Sequence, residues 1–433
     1  MPLTLLPVGA VYPAPLALPA QGVQRRRWAF EPNPVHGLEF DLYWLLALPL
    51  FFGLGWLAAR HETRSAHSQA ANLPEGYFQG LNFLLSEQPD RAIDAFIDVV
   101  RIDPETVELH FALGKLFRQR GENDRAIRVH QSLLDRADLD PKAREQALFE
   151  LGLDFLKAGL LDRADQAFSR LELGSRAEQA IRHRLEIAEL VRDWPLAISL
   201  ASRLPTGADA DAKPQRAIIH FHCELAAKAL AAGDRAGFDR AARHLAQAQA
   251  LGPEHPRVAL MQAELSMARG DLHQALLAWE GLRSRQPEWF VLGARAWLQA
   301  QQATGQLDQG LAVLEAQFEA QRSIELFVTL LDARLERDGP VKTIDWGRAA
   351  LSRAPSLVGL DRLLDIELAQ AAPGPRRDEL ALTRGLLRGQ AQRQSRYVCA
   401  HCGFKARQYY WQCPGCSRWE SCAPQRAEEL ERA

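Results

Sequence analysis

Two pairs of cysteines near the C-terminal end are the residues best placed to do chemistry. Cys399 and Cys402 form one CxxC, Cys413 and Cys416 form a second, and ten residues separate the pairs. Two residues between cysteines let a chain turn tightly enough for both sulfurs to face one ion, and Gly403, Pro414 and Gly415 suit such turns. Four thiolates in a tetrahedron select zinc or iron over a hard cation. With protein filling every position, the expected site is closed and structural, holding one Fe or Zn ion on Cys399, Cys402, Cys413 and Cys416. A structural zinc ion contributes about 10–16 kcal/mol in small modules, whereas a segment of this size cannot fold on apolar burial alone.

The rest of the cysteine inventory fits that reading. Five of the six cysteines fall in the last 35 residues, which suggests metal ligation in a reducing compartment, not a secreted disulfide framework. Cys422 has the wrong spacing and reads as spare, and Cys223 reads as a buried core thiol. Six aromatic residues (Tyr397, Phe404, Tyr409, Tyr410, Trp411 and Trp419) are expected to wrap the metal and dock it on the last helices of the preceding domain. The CxxCG and CPxC knuckles resemble those of rubredoxins, with a shorter stretch between them. A free-standing electron carrier is therefore the less favoured alternative, because less protein surrounds an iron to tune it.

Ahead of the cysteines the chain carries a period. Gly80 and Gly114 lie 34 residues apart, as do Ala92 and Ala126, and Gly152 and Ala164 keep the same internal offset. Phe83, Phe117 and Phe155 follow each Gly by three residues, while Phe96 and Phe168 follow their Ala by four. Ala241 and Ala275 are again 34 apart, as are Pro253 and Pro287. This pattern resembles the tetratricopeptide repeat, two antiparallel helices per unit with small residues where the helices cross. Residues 178–210 and 288–372 continue it with degenerate spacing. Eight or nine helical hairpins are expected over 73–372, then a helical connector at 373–396, a metal module at 397–422 and a tail at 423–433. The fold class is all-α: a repeat superhelix with a small four-cysteine metal knuckle.

Composition narrows the function. The formal net charge of −2 supplies no field to draw in nucleic acid, and the short basic runs read as solvated faces. No phosphate-binding Gly loop, HExxH or nucleophile elbow is found, so no enzyme is expected. Leu42 to Ala59 is 18 residues without a charge, nine of them Leu or Phe, and a helix of that length spans roughly 27 Å. Tyr43, Trp44 and Trp56 near its ends suit interfacial anchors, so residues 39–60 are expected to cross a membrane once. Arg60 and Arg64 follow the span while Glu39 and Asp41 precede it, which places the long C-terminal part in the cytoplasm. The Pro-rich residues 1–38 lack a basic signal-peptide n-region and read either as a disordered leader or as a mis-assigned start, translation then beginning near Val35 or Leu38.

One span, a long repeat array and a terminal knuckle, in that order, resemble the lipopolysaccharide assembly protein B family of Gram-negative bacteria. The motifs that carry the resemblance are EFDLYWLLALPLFFGLGWLAAR, YFQGLNFLLSEQPDRAIDAF and CAHCG…CPGC, and it covers roughly residues 39 to 422. It implies an inner-membrane adaptor that promotes degradation of the lipid A deacetylase by the FtsH protease, among other lipopolysaccharide-assembly partners, with a homo-oligomer left open. The leader of residues 1–38 departs from the family pattern. A general membrane scaffold unconnected with lipopolysaccharide is the main rival reading.

Overall fold

The computed structural model describes residues 75–86, 88–102, 106–205 and 213–431. The stretch expected to span a membrane, and the leader before it, lie outside these residues. Among the described residues no helix is long and apolar enough to cross a bilayer.

Among the described residues, nineteen helices run from Glu75 to Gln394 and pair into nine hairpins; in the seventh the first helix is interrupted, as Pro287–Phe290 and Ala294–Ala303. Several second helices begin on an aspartate whose carboxylate accepts an otherwise orphaned backbone N–H. Asp193 caps Leu196 at 3.1 Å, Asp234 caps Gly237 at 2.6 Å and Asp271 caps Gln274 at 3.1 Å. The turn within a hairpin is closed by a left-handed residue, as at Gly121 (φ 79°) and Gly159 (φ 74°). Gly305 is another of these turn residues, at φ 75°.

The small residues of the period sit where the helices cross. Ala92, Ala126, Ala164, Ala241 and Ala275 are wholly buried. The ring four residues after the alanine rests directly on the glycine of the partner helix. A Cβ on Gly152 would lie 2.7 Å from the Phe168 ring, and on Gly80 and Gly114 it would collide with Phe96 and His130 in the same way. Trp279, four residues after Ala275, fills the same place against Gly293, and it and Trp297 are among the most deeply buried side chains.

One hairpin carries an imidazole where its neighbours carry a phenyl ring. His130 occupies the plug position, and its Nδ1 lies 2.5 Å from the carboxylate of Asp154, both residues being wholly buried. Arg118 completes the group, donating to Asp154 at 2.7 Å and to Glu150 at 2.5 Å. A buried carboxylate survives only with such partners.

The last hairpin pairs Leu357–Gln370 with Pro375–Gln394, so the segment expected as a connector runs as the second helix of the ninth pair. After it comes a three-stranded antiparallel sheet in the order β2-β1-β3, with β1 Tyr397–Cys399, β2 Lys405–Ala406 and β3 Cys422–Arg426, and then a short helix, Ala427–Leu430.

Candidate metal centre

The two CxxC segments fold as a matched pair of turns. In the first, the Gly403 N–H donates to the Cys399 carbonyl at 2.9 Å, and the Cys399 N–H donates to Phe404 at 2.9 Å. In the second, Ser417 donates to Cys413 at 2.8 Å, and the Cys413 N–H donates to Arg418 at 2.9 Å. The residue after each second cysteine takes a left-handed backbone, Gly403 at φ 73° and Ser417 at φ 55°. Glycine adopts that conformation freely; serine is held there at some cost by the turn.

This pairing brings four sulfurs together. The ligand atoms of Cys399, Cys402, Cys413 and Cys416 all lie within 4.8 Å of one another, with Sγ separations of 3.8 Å for Cys399–Cys416 and 3.6 Å for Cys402–Cys413. Cys399 and Cys413 are buried, while Cys402 is exposed. So compact a set of soft donors can hold one metal ion, and the two turns would present one thiolate pair each. Burial opposes ionisation of Cys399, yet Ser421 and the backbone N–H groups of Cys402 and His401 draw its thiol down. Cys422 stands opposite Cys399 across β1 and β3 and packs in the same buried cluster. Cys223 is a core thiol, pushed up by burial to about 11.

The knuckle does not dock on the last helices alone. It lies along the inner face made by the first helices of six successive hairpins, from Glu189 to Leu357. Trp419 stacks on His220 at 4.6 Å and donates its indole N–H to Glu189 at 3.0 Å. Trp411 stacks on Trp289 at 5.1 Å, with the rings 12° from parallel. The guanidinium of Arg257, buried and paired with Glu224, lies 5.6 Å from both of those knuckle indoles. Further along, Tyr397 and Arg426 both bind Glu325, the tyrosine at 2.5 Å. The Glu428 carboxylate caps the final first helix at Leu357 N (2.6 Å), and Glu429 takes Ile324 N at 2.9 Å. Of the six aromatic residues expected to dock, Phe404 stays partly exposed.

A second cluster of metal-binding residue types, His220, His255 and Glu420, lies at this junction with its ligand atoms also within 4.8 Å. Its hydrogen bonds assign it another role. His255 Nδ1 accepts from the Arg257 N–H at 3.2 Å, which leaves its Nε2 proton for Glu420 Oε1 at 2.8 Å. His220 Nδ1 faces the Arg257 guanidinium at 3.3 Å, a group that only donates, so its Nε2 proton also points to Glu420, at 3.5 Å. A cation would have to displace both protons beside a guanidinium. The group is a hydrogen-bonded clamp on the knuckle, and His220 and His255 together hold the Glu420 carboxyl well below its ordinary range. None of the array residues in this seat was singled out by sequence. Their one visible trace was the crowding of His and Trp between residues 220 and 289.

Comparison with known proteins bears on both halves. The family described as "Rubredoxin metal binding domain" matches residues 397–424. Over 383 residues the chain is 34% identical to lipopolysaccharide assembly protein B of Escherichia coli, covering 88% of this chain and 97% of that protein. The protein of the same name from Haemophilus influenzae is 29% identical over 396 residues, with coverage of 88% and 97%. A tetratricopeptide repeat protein from Parabacteroides merdae aligns over 67% of this chain and 97% of its own, at 14% identity and a TM-score of 0.26, too loose a likeness to carry weight. On the near-complete alignment with its 34%-identical relative, the chain belongs to the lipopolysaccharide assembly protein B family.

Proposed function

We propose that this chain is a non-enzymatic adaptor of lipopolysaccharide assembly that promotes proteolysis of the lipid A deacetylase by FtsH. The observation that carries the reading is the match to relatives named for lipopolysaccharide assembly over 97% of their length. The fold is in keeping with it: stacked hairpins offer an extended inner face for proteins. In this reading residues 39–60 anchor the chain in the inner membrane, and the array and knuckle lie on the cytoplasmic side. Cys399, Cys402, Cys413 and Cys416 hold one zinc or iron ion, whose role is to fix the knuckle on the array. Depleting the protein in its host should raise the level of the lipid A deacetylase, measured by immunoblot against a synthesis-blocked chase. An unchanged half-life on depletion removes the adaptor role.

A further inference from the structure

The knuckle covers only part of the inner face, and beside it an open cleft of about 660 Å³ remains. That volume is in the range of sites that hold a few side chains. One wall is the array. Arg257, Leu260, Met261 and Glu264 face it at i, i+3, i+4 and i+7 of the helix Pro256–Ala268. Val291, Leu292 and Arg295 follow from the next hairpin, and Glu325, Val328 and Thr329 from the one after. The other wall is the knuckle, through Arg407, Gln408, Tyr409 and Trp411. A smaller hollow of about 350 Å³ shares Arg295 and Thr329 and leads on past Leu298 and Leu307.

The charges on the two walls are not balanced against each other. Asp332, the carboxylate that pairs Arg295, is shared with Arg362, which has Asp365 as its second partner. Arg407, on the opposite wall, forms no ion pair among the described residues. Arg426 is committed to Glu325 and Arg257 to Glu224. Glu264 is the opposing charge, and burial raises its carboxyl above the ordinary range, which weakens its claim on a cation. The cleft therefore pairs an apolar floor with four arginines against two glutamates, Arg407 being without an ion pair among the described residues and Arg295 holding a shared one.

We propose that this cleft binds a short segment of a partner protein that presents aliphatic side chains next to a carboxylate. The aliphatic groups lie against Leu260, Met261 and Val291, and the carboxylate is held between Arg295 and Arg407. The proposal rests on the adaptor reading for its partner, and it needs the knuckle in place, because half of the cleft belongs to it.

The test uses the full chain in detergent micelles and three matched sets of immobilised ten-residue peptides. The sets share leucine and valine positions and differ in carrying Asp and Glu, Asn and Gln, or Lys at the others. The acidic set should retain the protein at least tenfold better than the amide set, and the lysine set should retain it least. Arg295→Glu with Arg407→Glu should abolish that preference while metal content and tryptophan emission stay unchanged. If the double variant does not fold, Arg407→Gln alone, at an exposed position without an ion pair, should weaken acidic-peptide binding severalfold. Equal retention of all three sets, or retention insensitive to both variants, overturns the proposal. The deacetylase half-life on depletion is read separately. A rise there with no peptide selectivity removes the cleft and keeps the adaptor; selectivity with no rise does the reverse.

Discussion

Glu420 shows how much depends on one side chain of the knuckle. Two imidazoles donate to it through Nε2, and the Nδ1 of each faces an Arg257 donor, an arrangement that needs that nitrogen unprotonated. Burial, against the pull of Glu420, lowers His220 from 6.5 to about 4. Between those values the unfolded chain binds a proton that the folded chain refuses, so stability falls as the pH drops through that window. The depressed Glu420 carboxyl acts in the same direction below about 4.5, its ordinary value. For His220 alone the loss is at most about 3 kcal/mol. We expect the denaturation midpoint to decline from pH 6.5 to 4, and His220→Gln to flatten that decline without removing it, because His222 and His244 are lowered by burial as well. A His220→Gln protein with the unaltered pH slope would show that the clamp does not titrate with folding.

Each hairpin depends on one close crossing. Ala126 is wholly buried in its helix crossing, so Ala126→Leu must push the two helices apart or force strained rotamers, at about 1–3 kcal/mol. An unchanged thermal melt would contradict the register described. The polar group nearby has a larger stake. Asp154→Ala leaves Arg118 without one of its two carboxylates and strands His130, whose Nε2 already has no partner within the described structure. Removing one member of a buried ionic group costs about 3–5 kcal/mol, and urea denaturation of the variant should show a loss in that range. The period made the crossing legible in advance, since Gly and Ala recur at fixed offsets. It could not show that His130 would replace a phenyl ring, because the carboxylate that holds the histidine comes from the neighbouring hairpin, 24 residues away in sequence.

On the scale of the whole molecule, the knuckle ties hairpins four to nine together from the inside. Two stacked indole contacts, Trp411 on Trp289 and Trp419 on His220, are its anchors. A double-mutant cycle on Trp411→Ala and Trp289→Ala should give a coupling of about 0.5–1.5 kcal/mol beyond the separate losses, measured by denaturant titration. Strictly additive losses would mean that the rings touch without cooperating. The ion is expected to set the whole seat. Cys399→Ser with Cys413→Ser should abolish bound metal, measured by elemental analysis, and shift tryptophan emission to the red as Trp411 and Trp419 enter water. Full metal content in that variant would remove the four-thiolate assignment.

The sequence by itself determined what depends on local spacing. CxxC pairs close their own turns, Gly and Ala at 34-residue intervals mark helix crossings, and aspartates start helices, because each of these interactions is made within a few residues or one hairpin. It did not determine where the knuckle rests. Glu189, His220, Arg257, Trp289, Glu325 and Leu357 come from six different hairpins, and they form one surface only after the array coils. The superhelix decides that surface, since the stacking angle between hairpins is a sum of many packing contacts and leaves no periodic trace in the residues it brings together.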